Sequence, residues 1–440
     1  MLHVPDMPPA SRPMDPERLS ASAMAATLSR ALEHGVEGSA DDAVVFYDLA
    51  FLETRLRSLA AAFPPSTLHA VAVKANPSVE ILKRTRAAGH GAEVASIGEL
   101  ELALAAGFPI ESLVFDSPVK TREELDRALR LGIWINANTL DELGRIADLH
   151  ASLHSASRVG IRVNPELGKG AIEATSVAVQ GSKFGVPLGR SRAAILEAFS
   201  RHPCLTGIHV HIGSQGMSRS QLLEDVGAAY DLFVEANRSA GATVFNIGGG
   251  LPAKYRDQDT PPPFEDYATA LRGRCPRLFE PGVALVTEFG RSLHANCGWV
   301  ASKIEYAVDN GNDLPTLLVH VGADMFVRKA YRPDDWHHDL SVCDPSGRLR
   351  VGPKKPFRVA GPLCFAGDFL DRNVALPADV REGDYLLIHD AGAYTFSMWS
   401  IYNSRQFPAI IGYEGEEPTF KCLRRRQSVD EIVDFWSRAS

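Results

Sequence analysis

A lysine, two histidines, three consecutive glycines, an acid–arginine pair and a cysteine are the residues of this chain whose types and spacing suit chemistry. Lys74 follows the apolar run 68–73, and Asn76-Pro77 then turns the chain. An amine at the end of a buried strand loses solvation, which lowers its pKa and favours the neutral, nucleophilic form. The plainer alternative is a lysine reaching from the strand end to water. His209 and His211 stand two apart on one strand and share a face. No carboxylate or cysteine lies close in sequence to complete a metal set with them, so no metal site is expected. A planar imidazole stacked on an aromatic ligand suits them better, and Ser214 can hydrogen-bond an anion. Phe245-Asn246-Ile247 runs into Gly248, Gly249 and Gly250. Glycine tolerates positive φ and close approach, so successive N–H groups there can point at one anion; the other reading is a flexible turn. The stretch is neither a Walker A loop nor GxGxxG. Glu288 and Arg291 are three apart after another apolar run. They form either a local ion pair or an acid for a ring nitrogen beside an arginine for a carboxylate or phosphate. Gly361-Pro362-Leu363-Cys364 and Gly392-Ala393-Tyr394-Thr395 are turns, each carrying one nucleophilic or acidic side chain.

The elements that must position these residues follow a βα rhythm. Short apolar runs at 68–73, 92–94, 113–115, 133–135, 159–163, 205–210, 243–247 and 284–286 alternate with helix-like segments such as 79–88, 97–106, 122–131, 140–149, 192–201 and 221–239. About eight such units over about 220 residues predict a parallel (β/α)8 barrel. An open doubly wound sheet is the rival. The barrel is favoured because polar residues fall just after so many strands: Lys74, Asp116, Asn136, Arg162, His211, Gly248 and Glu288. In a barrel those ends converge on one face. From about 300 the runs become strand-like without regular helices between them, predicting a separate β domain, with 332–350 as a long loop or hairpin and 429–438 as a closing helix. The expected division is a tail and helix over 1–40, a strand and helix over 41–65 packing with the β domain, the barrel over 66–298 and the β domain over 299–440.

The chain has 440 residues, with 46 basic against 54 acidic side chains and a net charge of −8. That leaves no basic footprint for nucleic acid, and no apolar run approaches the roughly 20 residues of a membrane span. Six scattered cysteines lack paired metal spacing, so a reducing cytoplasm is the expected compartment.

Taken together, Ala72-Val73-Lys74-Ala75-Asn76-Pro77, His211-Ile212-Gly213-Ser214-Gln215, Gly248-Gly249-Gly250, Glu288-Phe289-Gly290-Arg291, Gly361-Pro362-Leu363-Cys364 and Gly392-Ala393-Tyr394 resemble the diaminopimelate/ornithine decarboxylase family over roughly residues 44–415. These are pyridoxal-phosphate enzymes of the alanine-racemase-like fold. The resemblance implies that Lys74 holds the cofactor aldehyde as a Schiff base and His211 stacks on its ring. Ser214, the backbone of Gly248, Gly249 and Gly250, and Tyr394 would hold its phosphate, beside Gly290 and Arg291. Glu288 would keep the pyridine nitrogen protonated, which favours decarboxylation over the racemases of this fold, where an arginine faces that nitrogen. A non-catalytic cofactor carrier with the same barrel is disfavoured by the β domain and the cysteine turn. Cys364 would enter the site of a second subunit as proton donor, implying a homodimer with shared sites.

Departures from the family bear on substrate. The family has an acid after the cysteine to take the substrate's distal ammonium; here Phe365 stands there. Phe289 replaces a proline of the arginine motif, while Arg291, which helps bind a distal carboxylate in the diaminopimelate enzymes, is kept. Arg328 and Tyr331 match the substrate segment loosely. The expectation is an amino-acid decarboxylase with altered specificity, favouring a basic or diamino acid, with Asp334, Asp335, Asp368 or Asp371 replacing the missing acid. The alternative is a non-cationic substrate of a specialised pathway, its carboxylate held by Arg291 or Arg328.

Overall fold

The computed structural model describes residues 17–168, 170–309, 311, 314–415 and 417–437. Eight parallel strands close on themselves in chain order: Leu68–Ala72, Gly91–Val94, Leu113–Asp116, Trp134–Ala137, Val159–Asn164, Leu205–Val210, Val244–Asn246 and Ala284–Thr287. The last returns to the first through Val286 opposite Leu68 and Thr287 opposite His69. A two-residue strand, Val186–Pro187, pairs outside the ring on Val159–Asn164. The barrel strands are short and almost wholly buried, as expected where helices cover one face and packed side chains fill the other. Near the strand starts Ala70, Val114, Trp134, Val244 and Val286 pack together and plug the barrel. The helices between strands begin where the sequence supplies caps. Thr121 and Glu124 form a capping box for Arg122–Leu131, and Ser218 and Gln221 another for Arg219–Ala240. Leu125, Ala128 and Leu129 then turn one face of the first of these helices to the barrel.

A second, mixed sheet follows. Its centre is Gly298–Val308, flanked by Ala43–Asp48 antiparallel and by Tyr385–Ile388 antiparallel. Ala43–Asp48 also pairs parallel with Ala409–Glu414. A strand from the start of the chain thus completes the sheet of its end. Asp48 then caps helix Leu49–Ala62, its carboxylate accepting the Phe51 N–H at 2.8 Å, and that helix carries the chain to the barrel. Helix Ala21–Glu33 covers the far side of the sheet with Met24, Ala25, Leu28 and Ala31.

Two features depart from the sequence expectation. The segment 332–350 does hold a hairpin, with Cys343 opposite Leu349, but its first arm, Leu340–Cys343, is also a strand of the sheet, paired antiparallel with Tyr385–Ile388. Its polar composition hid this, because pairing is granted by the neighbouring sheet edge rather than by propensity. The second domain also holds a short helix, Val327–Tyr331, and it proves to carry a site residue. Most of the expected tail lies outside the described residues, but the half-buried Arg18 meets Asp390, Asp339 and Asp257, and Ser20 caps the first helix.

Candidate active site

The first barrel strand ends at Ala72, and one 3₁₀ turn, Val73–Ala75, lifts Lys74 over the mouth of the barrel. The turn is held by close contacts. The Ala75 carbonyl accepts the Tyr394 N–H at 3.1 Å, and Gly290 lies so near that a Cβ there would stand 2.9 Å from the Ala75 methyl. The Lys74 ammonium is ion-paired with Glu93, a wholly buried residue of the next strand. Burial alone would depress the lysine, but Glu93, then Tyr394 and Glu288, outweigh it and hold the amine above its usual range. The expected neutral amine is therefore corrected: before anything binds, Lys74 is a charged partner of an acid that the sequence pattern did not reveal. Glu93 is itself pushed up, first by burial and then, against the pull of Lys74, by Glu288 and Asp116. Its signal was an acid in the second-last position of an otherwise apolar strand.

The neighbouring strand ends complete a polar floor. The His209 ring lies between Asp116 and Glu288, each carboxylate 3.5 Å from one of its nitrogens. Burial would raise both carboxyls, but the nearby cationic groups prevail and hold them below the usual range. Asn246 donates to Glu288 Oε1 at 2.6 Å and accepts the Gly248 N–H at 2.8 Å. Glu288 Oε2 is buried with no hydrogen-bond partner among the described residues. His211 Nδ1 accepts the Gly249 N–H at 3.1 Å, which leaves the ring proton on Nε2. Burial, and then Arg162, depress this imidazole to about 3, so the ring is neutral and suited to stacking.

The glycine run is thus used differently from the expectation. Gly248 and Gly250 do take φ of +64° and +115°. However, two of the three N–H groups are spent on Asn246 and His211, and only that of Gly250 lacks a partner among the described residues.

Above this floor Arg291 is buried. Its Nε donates to Ser214 Oγ at 2.9 Å and one terminal nitrogen to the Tyr255 hydroxyl at 2.8 Å. The other terminal nitrogen is buried and unpartnered among the described residues. The Arg291 guanidinium lies 4.5 Å from the Tyr394 ring and 4.8 Å from Trp336; that of Arg328 lies 4.7 and 4.8 Å from the same two rings. Arg328 also has a buried, unpartnered terminal nitrogen, and burial, with Arg291 beside it, depresses it to about 10. Two guanidiniums here share aromatic walls, with no ion-paired acid among the described residues. Trp336 and Tyr255 were not anticipated, the first lying in the polar segment read as a long loop or hairpin.

These groups surround a cavity of about 330 Å³ whose lining includes Lys74, Asp116, Arg162, His211, Ser214, Arg328 and Tyr394. Glu288, Arg291, Gly290 and the glycine run stand behind that lining, whereas Cys364, Phe365 and Tyr331 lie away from it on the second domain. Cys364 is exposed on the second domain, its N–H donated to Asn403 Oδ1 at 2.8 Å. Phe365 stacks on the exposed Tyr331, ring centres 5.5 Å apart. The four candidate acids are absent from the lining too. Asp368 is buried and accepts the N–H groups of Ala323 and Leu363 at 2.6 Å each. Asp371 faces Lys329 at 3.8 Å, Asp335 faces Arg332 at 2.8 Å, and Asp334 is exposed. In this subunit none of them replaces the missing acid.

A closed parallel barrel with a lysine, a buried carboxylate and an imidazole at its mouth, joined to a β domain, defines an alanine-racemase-like enzyme that binds a carbonyl cofactor. The family described as "Pyridoxal-dependent decarboxylase, pyridoxal binding domain" matches residues 49–295. The chain is 31% identical over 398 residues to the diaminopimelate decarboxylase of Aquifex aeolicus (88% of this chain, 90% of the relative). It is 33% identical over 392 residues to that of Pseudomonas aeruginosa, with the same coverage. A solved diaminopimelate decarboxylase of Helicobacter pylori, complexed with L-lysine, superposes with a TM-score of 0.79 at 26% identity, covering 90% of this chain and 97% of its own. The chain belongs to the pyridoxal-dependent decarboxylase family. It is an amino-acid decarboxylase that works with pyridoxal 5'-phosphate.

Proposed function

We propose that the enzyme decarboxylates a diamino acid of the diaminopimelate type, with the distal carboxylate held between Arg291 and Arg328. The observation that carries this is the pair of guanidiniums with unpartnered buried N–H groups and no ion-paired acid among the described residues. Desolvated donors without partners favour a ligand that supplies an anion and penalise one that cannot. The diaminopimelate decarboxylase relatives support the same class. Phe365 offers no charge-assisted bond to a distal ammonium, so selectivity for that group is relaxed.

The cavity fits the cofactor. The free oxygen of Glu288 is an acceptor for a protonated ring nitrogen, and the Gly250 N–H and the Ser214 hydroxyl, which accepts from Arg291, supply donors for a phosphate. When bound, pyridoxal phosphate supplies an electron sink for the electrons released with CO2. Lys74 would hold its aldehyde carbon, His211 would stack on its ring, and Gly248, Gly249, Gly250, Gly290 and Tyr394 would shape the phosphate end. Glu288 would keep the ring nitrogen protonated. Glu93 holds the Lys74 ammonium whenever the amine is free.

Cys364 would return a proton to the substrate carbon from a partner subunit. Its exposure, outside its own cavity and beside the exposed Tyr331 and Tyr402, supports a homodimer with shared sites. Among the described residues no helix is long and apolar enough to cross a membrane, and we place the enzyme in the cytoplasm.

A CO2-release screen tests the substrate. It should cover meso-diaminopimelate and both enantiomers of lysine, ornithine, arginine and glutamate. Substrates with a distal carboxylate should exceed the monocarboxylic basic ones by at least about tenfold in kcat/KM; lysine or ornithine as best substrate would sink the assignment. Shared sites predict that mixing inactive Lys74→Ala and Cys364→Ala proteins restores part of the activity through hybrid dimers. No rescue, with subunit exchange demonstrated, argues against sharing.

A further inference from the structure

We propose that Arg18 is a positioning residue for this reaction: its guanidinium ties together the three segments that deliver Tyr255, Trp336 and Tyr394 to the guanidiniums of Arg291 and Arg328. One terminal nitrogen of Arg18 contacts Asp390 Oδ2 at 2.5 Å and Asp339 Oδ2 at 2.6 Å, and the other reaches Asp257 Oδ1 at 3.4 Å. Each acid lies within four residues of a cage aromatic. Asp257 is two after Tyr255, Asp339 three after Trp336, and Asp390 four before Tyr394.

The Asp390 end is the most constrained. Asp390 and Tyr394 both take φ of +55°, a conformation that L side chains adopt only where surroundings impose it. Asp390 Oδ1 accepts from Asn296, whose amide also donates to the Lys254 carbonyl at 2.6 Å. Beside Arg18, Glu17 pairs with Lys254 at 2.7 Å. The start of the described chain therefore straps the barrel loop 254–259 to the second domain at the rim of the site. The Arg18 side chain is 11% exposed and that of Asp390 1%, so that contact is little screened. Asp339 is partly exposed and Asp257 fully exposed, so the hold on the barrel loop is the weaker arm and is shared with the Glu17–Lys254 and Asn296–Lys254 contacts. A planar fork with several donors can serve three carboxylates at once, which an ammonium cannot.

The test uses whichever amino acid the wild-type holoenzyme turns over best, so it stands apart from the substrate assignment. Arg18→Met should raise KM by about tenfold or more with a smaller change in kcat, because it loosens binding rather than chemistry. It should also lower Tm, since Asp390 is left as a buried carboxylate without its cation. Arg18→Lys should recover part of both. The double variant Arg18→Met/Asp390→Asn decides between positioning and mere stability. It removes the stranded charge but not the need for the tie, so Tm should recover while KM stays high. A wild-type KM in Arg18→Met, or a KM that recovers together with Tm in the double variant, overturns the proposal.

Discussion

Lys74→Ala is expected to lose at least about 10³-fold in CO2 release, because it removes the one lysine, among the described residues, that lines the cavity and can capture an aldehyde. The cofactor would still find the Ser214 and Gly250 donors, so binding should weaken rather than vanish. The visible absorption of a lysine-bound cofactor should disappear, and borohydride should no longer fix label to the protein. The fold should tolerate the change. Glu93 would lose its ammonium and remain buried near Glu288 and Asp116, all three carboxylates lying within 4.8 Å of one another. Being already raised by burial, Glu93 can relieve the repulsion by taking up a proton. Full activity in Lys74→Ala would end the site assignment, whereas loss of activity with loss of fold would point instead to Lys74 as a structural ion pair.

Glu288→Gln should lower kcat by about 10²–10³-fold, equivalent to about 3–4 kcal/mol of transition-state stabilisation, with cofactor affinity changed far less. The substitution keeps the shape of the side chain and an oxygen for Asn246. It removes the negative charge held in the ionised state by its cationic neighbours, despite complete burial. It also puts N–H groups where the unpartnered Oε2 now stands, so a ring nitrogen would meet a donor instead of an acceptor. The electron sink then loses the proton that strengthens it. Absorption titration of bound cofactor and single-turnover CO2 release separate binding from chemistry. A kcat within a few-fold of wild type would show that Glu288 has another task, such as anchoring Asn246 and, through it, the glycine run.

How much of this was visible in the chain differs between the parts of the site. The βα rhythm sets strand ends at intervals along the sequence, and closure of the barrel brings those ends to one mouth. Lys74, Asp116, His211, Gly248 and Glu288 could therefore be placed on a common face from their positions alone. Periodicity is a local property, fixed by side-chain direction in strands and helices, and local properties survive in a linear text. Partnerships are not local. Glu93 reaches Lys74 from the adjoining strand, and Asp390 meets Arg18 across 372 positions. Because a pKa is the balance of lost solvation against nearby charge, the sequence could supply the first for Lys74 and not the second, and the sign came out reversed. The glycine run is a similar case: its composition announces free N–H groups, and only the fold shows that Asn246 and His211 take two of them. The arginine–aromatic cage draws on a barrel loop, a short helix and two turns of the second domain. Residue types determined by themselves that this chain carries the parts of a pyridoxal enzyme. Which charges meet, and which donors remain free for a ligand, was decided by tertiary packing, because electrostatic energy depends on distance in space and on exclusion of water, neither of which is encoded at any single position.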